Sequence, residues 1–256
     1  MINGKQIALV TGATSGIGRA VAQKFASMGI ALILTGRRAE RLDSLKAELA
    51  HTYPDLPVLT LCFDVRSLAQ VQQYLGQLPA EWENIDILVN NAGLAAGLEP
   101  IQQGNTDDWD RMIDTNVKGL LYVTRTVSPT MVRNKSGHIF NLGSIAGKEV
   151  YPNGNVYCAT KSAVNALSQA MRIDMLPYNV KVTQVCPGAV NTEFSLVRFH
   201  GDQARADKVY DGLEPLYAND IAECIAAALT LPPNVCINDM VVMPTAQASG
   251  TQFHRR

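Results

Sequence analysis

The stretch QIALVTGATSGIGRAV, residues 6–21, runs from a short apolar segment through a loop of spaced glycines into a helix-like pattern. Gly12, Gly16 and Gly18 leave room for a pyrophosphate to approach backbone N–H groups at a helix N-terminus. Thr14, Ser15 and Ile17, lying between them, are candidate contacts as well. A spaced-glycine loop alone fits a tight turn equally well. Its place between a strand and a helix favours nucleotide binding. The spacing is G-x-x-x-G-x-G rather than the commoner G-x-G-x-x-G.

Outward from this loop, apolar runs recur with amphipathic segments between them. Residues 6–10, 31–35, 57–63 and 85–90 read as strands in the first half, and 138–144, 180–186 and 240–243 in the second. The runs are continuous rather than alternating, as expected of parallel strands covered on both faces. RAVAQKFASMG, closed by Gly29, and ERLDSLKAELA read as helices. This alternation predicts an α/β fold of the Rossmann type, a doubly wound seven-stranded parallel sheet with helices on both faces. The chain of 256 residues suits one large domain. The longest interruption, about residues 191–217, is expected to be polar, irregular and a candidate lid.

Composition narrows the function classes. With 47% hydrophobic and 18% charged residues and a net charge of −1, the chain shows no nucleic-acid surface. No apolar run reaches the ~20 residues of a membrane span, and the N-terminal residues lack a signal-peptide layout. The five cysteines are scattered and never form C-x-x-C, which favours reduced thiols in the cytoplasm and no metal site. Cys158 reads as a small buried residue, since no histidine stands near it in sequence.

The glycine loop resembles that of the short-chain dehydrogenase/reductase family, T-G-x-x-x-G-x-G, here Thr11 to Gly18. Four further motifs extend the resemblance through most of the chain. They are N-N-A-G at residues 90–93, Asn116 in DTNVKG, Ser144 with the Y-x-x-x-K pair Tyr157 and Lys161, and P-G-x-x-x-T at residues 187–192. The resemblance implies a nicotinamide dinucleotide cofactor and a catalytic set of Asn116, Ser144, Tyr157 and Lys161. It places Asp64 and Val65 at the adenine, and Asn91, Ala92 and Gly93 under the adenosine ribose. Pro187, Gly188, Val190 and Thr192 would then cover the nicotinamide. A helix cap is the plain alternative for Asp64.

Dinucleotide folds place an acidic residue at the end of the second strand to bind ribose hydroxyls. Here that strand ends LTGRR, and Arg37 and Arg38 stand where the carboxylate would be. Guanidinium groups hold a 2′-phosphate that a carboxylate repels, which predicts NADP rather than NAD.

Tyrosine is a weak acid–base at neutral pH, with a reference pKa of ~10. Lowering it by two or three pH units takes roughly 3–4 kcal/mol of preference for the phenolate. A cation ~4 Å away at an effective dielectric of ~20 supplies about that much. Lys161, one helical turn from Tyr157, is expected to be that cation and also to hold the nicotinamide ribose. Burial alone would push the phenol the wrong way. Ser144 is expected to hydrogen-bond the substrate oxygen. Asn116 falls in a helical stretch where its propensity is poor, and the resemblance gives it a water that relays protons to the lysine.

Several stretches, including ILTGRRAERLDSLKAEL and TEFSLVRFHGD, resemble the family's NADP-dependent 3-hydroxy acid dehydrogenases, which also oxidise serine and allo-threonine. That implies a small-molecule substrate carrying a carboxylate, and Arg198 is the candidate to bind it, with Arg205, Lys208 and Lys148 competing. A 3-oxoacyl thioester or general carbonyl reductase is the alternative within enzymes. A non-catalytic NADP sensor is disfavoured because both Tyr157 and Lys161 are present. The family resemblance further implies a homotetramer. The tail PTAQASGTQFHRR either joins such an interface or frays.

Overall fold

The computed structural model describes residues 2–256. Its first half holds β1 (Ile7–Val10), α1 (Gly16–Ser27), β2 (Ala31–Gly36), α2 (Ala39–Thr52), β3 (Val58–Cys62), α3 (Leu68–Leu75) and β4 (Ile87–Asn90). There follow α4 (Thr106–Ile113), a π-helical turn (Asp114–Gly119), α5 (Leu120–Asn134), β5 (Gly137–Leu142), α6 (Asn155–Met175) and β6 (Val180–Pro187). The rest comprises β7 (Val190–Asn191), α7 (Phe194–Arg198), α8 (Gln203–Lys208), β8 (Leu216–Tyr217), α9 (Ala218–Leu229) and β9 (Asp239–Val242).

Seven strands form one parallel sheet in the order β3-β2-β1-β4-β5-β6-β9. β1 lies between β2 and β4, so the order reverses there and opens a crevice beyond the strands' carboxyl ends. The continuous apolar runs have a simple cause. Ala8, Val10, Leu32 and Leu34 pack into one core with α1, α2 and α9. Ile7, Leu9, Ala31 and Ile33 pack into the other, with α3, α5 and α6. Successive residues thus serve opposite faces, so both alternations along these runs are apolar. The strand bounds differ from the sequence reading by at most two residues at either end.

Two expectations need correction. The edge strands are not covered on both faces: β3 is largely half-buried and β9 alternates exposed with half-buried, since each has a single neighbour in the sheet. Nor is the 191–217 stretch irregular. It contains α7 and α8, and its two ends meet where β7 pairs in parallel with β8, Val190 opposite Leu216. These elements are too short for periodicity to reveal; the Asp202 carboxylate caps α8 by accepting from the Arg205 N–H at 3.0 Å.

The tail folds back on this excursion instead of fraying. Arg255 donates to the carbonyls of Val209 and Asp211, and the Arg256 N–H donates to the Gly212 carbonyl at 2.9 Å. No helix among the described residues is long and apolar enough to cross a membrane.

Candidate active site

A cleft of about 320 Å³ opens at the carboxyl ends of the central strands. Of the residues assigned to the catalytic set, the cofactor or the substrate carboxylate, all line it except Gly18, Asn116 and Arg198, which lie just behind or beside it, and the competing cations Lys148, Arg205 and Lys208. Residues the motifs did not reveal also line it, among them Thr35, Thr115, Glu193 and Phe194. No group of three or more metal-ligating side chains occurs among the described residues.

The glycine loop is built for close approach. Gly12 takes φ +67°, which favours glycine. A Cβ on Gly18 would lie 2.4 Å from the Gly12 carbonyl and from the Asn91 side-chain nitrogen. Asn91 explains the crowding, because its amide donates to the Thr11 and Gly12 carbonyls at 2.8 and 3.2 Å. Asn91 therefore holds the loop from behind. Two buried hydroxyls lining the cleft, Thr35 and Thr115, have no hydrogen-bond partner. Unpaired hydroxyls, glycines at contact distance and clustered arginines together fit a phosphate-bearing dinucleotide.

At the mouth, the Arg38 guanidinium donates to Thr14 Oγ1 at 3.0 Å and Ser15 Oγ at 2.9 Å, which ties it to the glycine loop. Arg37 faces the Asp64 carboxylate at 3.9 Å. Asp64 does not cap the next helix: Ser67 does, accepting from the Gln70 N–H. Burial works to raise the Asp64 pKa, but hydrogen bonds and charge from Arg66, with Arg37 adding, hold it below the usual carboxylate range. Glu193 reaches across from the far side of the cleft to both Arg38 and Arg41.

Asn116 sits in the π-helical turn, 2% exposed, rather than on a helix surface. The wider turn lets its amide donate to the Leu94 carbonyl at 2.8 Å and Thr160 Oγ1 at 3.0 Å. Its carbonyl oxygen accepts from the Leu94 N–H at 2.9 Å. Both amide hydrogens are taken, so a water at Asn116 would be held through an oxygen. The side chain clamps the loop after β4 to α6. Thr160, its partner on α6, lies between Tyr157 and Lys161 in the chain and donates to the Tyr157 carbonyl.

Tyr157 and Lys161 are both buried, at 8% and 7% exposure. Lys161 Nζ donates to the Leu142 carbonyl at 2.7 Å and lies 5.9 Å from the Tyr157 ring centre. Burial lowers the Lys161 pKa to about 8. Burial pushes the Tyr157 phenol well above its usual range, with Tyr151 adding, while Arg198 and the Ser144 hydroxyl pull it back. Lys161 is expected to lower the phenol together with the charge of an oxidised nicotinamide; in this structure Arg198 is the cation that lowers it. Desolvation wins over that pull. Ser144 Oγ accepts from the Ala146 N–H at 3.1 Å, which leaves its own hydrogen free to donate.

Among the cations proposed for a carboxylate, the fold separates Arg198 from the rest. Its Nη2 donates to the Tyr151 hydroxyl at 2.7 Å, and its Nε is buried without a partner. Lys148 is engaged by Asp239 and Asn165, Arg205 stacks on Phe199, and Lys208 is exposed.

The chain is similar to known proteins over nearly its whole length. The NADP-dependent 3-hydroxy acid dehydrogenase of Escherichia coli (strain K12) is 48% identical over 252 residues, 98% of this chain and 100% of that protein. Sulfoacetaldehyde reductase 2 of Chromohalobacter salexigens is 47% identical over 243 residues, 94% of this chain and 95% of that protein. The closed form of serine dehydrogenase complexed with NADP+ superposes with a TM-score of 0.92 at 47% identity, over 98% of this chain and 100% of that one. The family model for short chain dehydrogenase matches residues 6–201, and the chain belongs to that family.

Proposed function

We propose that this chain is an NADP-dependent oxidoreductase interconverting the β-hydroxyl of a 3-hydroxy acid and the corresponding 3-oxo acid, of the 3-hydroxypropionate, serine or allo-threonine type. The observation that carries the reading is the buried, unpartnered Nε of Arg198, close to Tyr157. A guanidinium offers parallel donors to a carboxylate. A carboxylate held there presents a hydroxyl two carbons away to Tyr157 and Ser144.

Bound NADP would accept or return the hydride. Gly12, Thr14, Ser15, Gly16 and Ile17 would hold its phosphates, with Gly18 giving the loop its close packing. Arg37 and Arg38 would hold the 2′-phosphate, and Asp64 and Val65 the adenine. Asn91, Ala92 and Gly93 would floor the ribose, while Pro187, Gly188, Val190 and Thr192 cover the nicotinamide. In oxidation the Tyr157 oxygen takes the proton of the β-hydroxyl; in reduction it gives that proton back. Ser144 donates a hydrogen bond to the same oxygen. Lys161 bears on the phenolate and the ribose hydroxyls, and Asn116 keeps the Tyr157–Lys161 turn in place. Residues 191–217 act as the lid, and Arg198 arrives with it.

A sulfonate offers a guanidinium the same charge and the same oxygen acceptors as a carboxylate. A 2-hydroxyethanesulfonate is therefore the second substrate class to test. The assay follows NADPH absorbance with 3-hydroxypropionate, L-serine, 2-hydroxyethanesulfonate and a 3-oxoacyl thioester, using each nicotinamide cofactor. The hydroxy acids should turn over with NADP+, and the 3-oxoacyl thioester poorly with NADPH. Highest kcat/KM on the thioester, or equal use of NAD+, would overturn the reading. The same reading makes the enzyme a cytoplasmic homotetramer. Exposed Ile173 and Leu176, at 73% and 75%, are apolar surface that such an assembly would cover. Sedimentation velocity measures the oligomeric state.

A further inference from the structure

Arg41 lies in the first turn of α2, three residues past Arg38, and has no role among the sequence expectations. Its Nη1 donates to both oxygens of the Glu193 carboxylate, at 2.6 and 2.9 Å. The Arg38 Nη1 donates to one of those oxygens at 3.1 Å, while its Nη2 stays on Thr14 and Ser15 of the glycine loop. Glu193 stands two residues past β7 and immediately before α7, so the carboxylate belongs to the lid side of the cleft. Glu193 and Arg38 both line that cleft.

We propose that Arg41 and Glu193 set the cofactor selectivity, Arg41 as a third guanidinium for the 2′-phosphate and Glu193 as a resident carboxylate that the phosphate displaces. The inference rests on the NADP reading above. A carboxylate bridging two guanidiniums occupies the acceptor position that a phosphate on Arg38 would need. Two anions at one pair of arginines repel, so phosphate binding must move Glu193 off. NAD carries no 2′-phosphate and leaves the bridge intact. The pairs are partly solvent-exposed, with side-chain exposures near 42%, so the bridge is weak enough for a phosphate to replace. Releasing Glu193 also frees the lid from α2, which couples arrival of the phosphate to the segment that carries Arg198. Both guanidiniums hold the Glu193 carboxyl below its usual range against the effect of burial, so it is ionised at neutral pH and competes in full.

The test is direct binding of NADP+ and of NAD+ to the full-length protein, by titration calorimetry without substrate. Glu193→Gln should bind NADP+ about three- to tenfold tighter, and NAD+ within about twofold of wild type. Arg41→Ala should weaken NADP+ about tenfold and leave NAD+ within about twofold. NAD+ binding serves in each variant as the measure of an intact cleft. A wild type that prefers NADP+, with Glu193→Gln unchanged or weaker for it, overturns this inference alone. So does Arg41→Ala losing both cofactors equally. A wild type that binds the two cofactors equally overturns the NADP reading itself and this inference with it.

Discussion

The Arg198 guanidinium carbon lies 5.0 Å from the centre of the Tyr157 ring. The cation that ends α7 and the buried phenol thus share one small volume, with Phe194 packed against both. Lys161 approaches the same ring at 5.9 Å and spends a hydrogen on the Leu142 carbonyl. Two cations thus flank the phenol, Lys161 from α6 and Arg198 from α7.

Replacing Tyr157 by Phe removes the only proton-carrying atom of that ring. We expect kcat to fall about 10²–10⁴-fold. NADP+ binding, measured by fluorescence titration, should stay within about threefold, since the ring and its packing remain. Wild-type turnover in this variant would refute the acid–base role.

Arg198→Ala should raise KM for the hydroxy acid at least about tenfold, the loss of one charge-assisted pair. It should also move the rising limb of the oxidation pH profile to higher pH. The guanidinium pulls the Tyr157 pKa down, and removing it leaves burial less opposed. A purely structural arginine would alter KM without moving the profile, so the profile is the deciding measurement.

Lys161 should cost the free protein stability. Burial takes its pKa from the ordinary 10.5 to about 8, so below pH 8 the fold must hold a disfavoured charge. That penalty is full at neutral pH, roughly 3 kcal/mol less whatever the Leu142 hydrogen bond returns. It declines between pH 8 and 10.5, where the unfolded chain binds the proton that the folded one has lost. Lys161→Met should therefore be about 1–3 kcal/mol more stable at pH 7 in urea unfolding without cofactor, the gain shrinking by pH 10. A variant less stable than wild type at pH 7 would show that the ammonium is better compensated than this.

Asn116→Ala leaves the Leu94 N–H and carbonyl and the Thr160 hydroxyl without their buried partner. The expected loss is about 1–3 kcal/mol of unfolding free energy, accompanied by reduced kcat as the Tyr157–Lys161 turn loosens. Full activity with lowered stability would confine the residue to a structural role.

Much of the fold was legible because its signals are local. Strand runs, helix patterns and the glycine spacing each lie within a few residues, and the parallel sheet follows from their alternation. The short helices α7 and α8 escaped notice because five or six residues carry too little periodicity. In the site, Tyr157, Lys161, Ser144 and the glycine loop stood out through their spacing. Arg41 and Glu193 did not, because 152 positions separate them in the chain.

Linear order was enough to name the chemistry: a loop shaped for phosphates, two arginines in place of a carboxylate, and a tyrosine one turn from a lysine. Tertiary packing decided how those groups behave. It buried Asn116 and consumed its amide, depressed Lys161 and raised Tyr157. It also carried Arg198 over the phenol and set Glu193 against Arg38. Each outcome depends on desolvation and on charges brought together from distant parts of the chain. Both are properties of the packed interior, with no trace in the spacing of residues along one strand or helix.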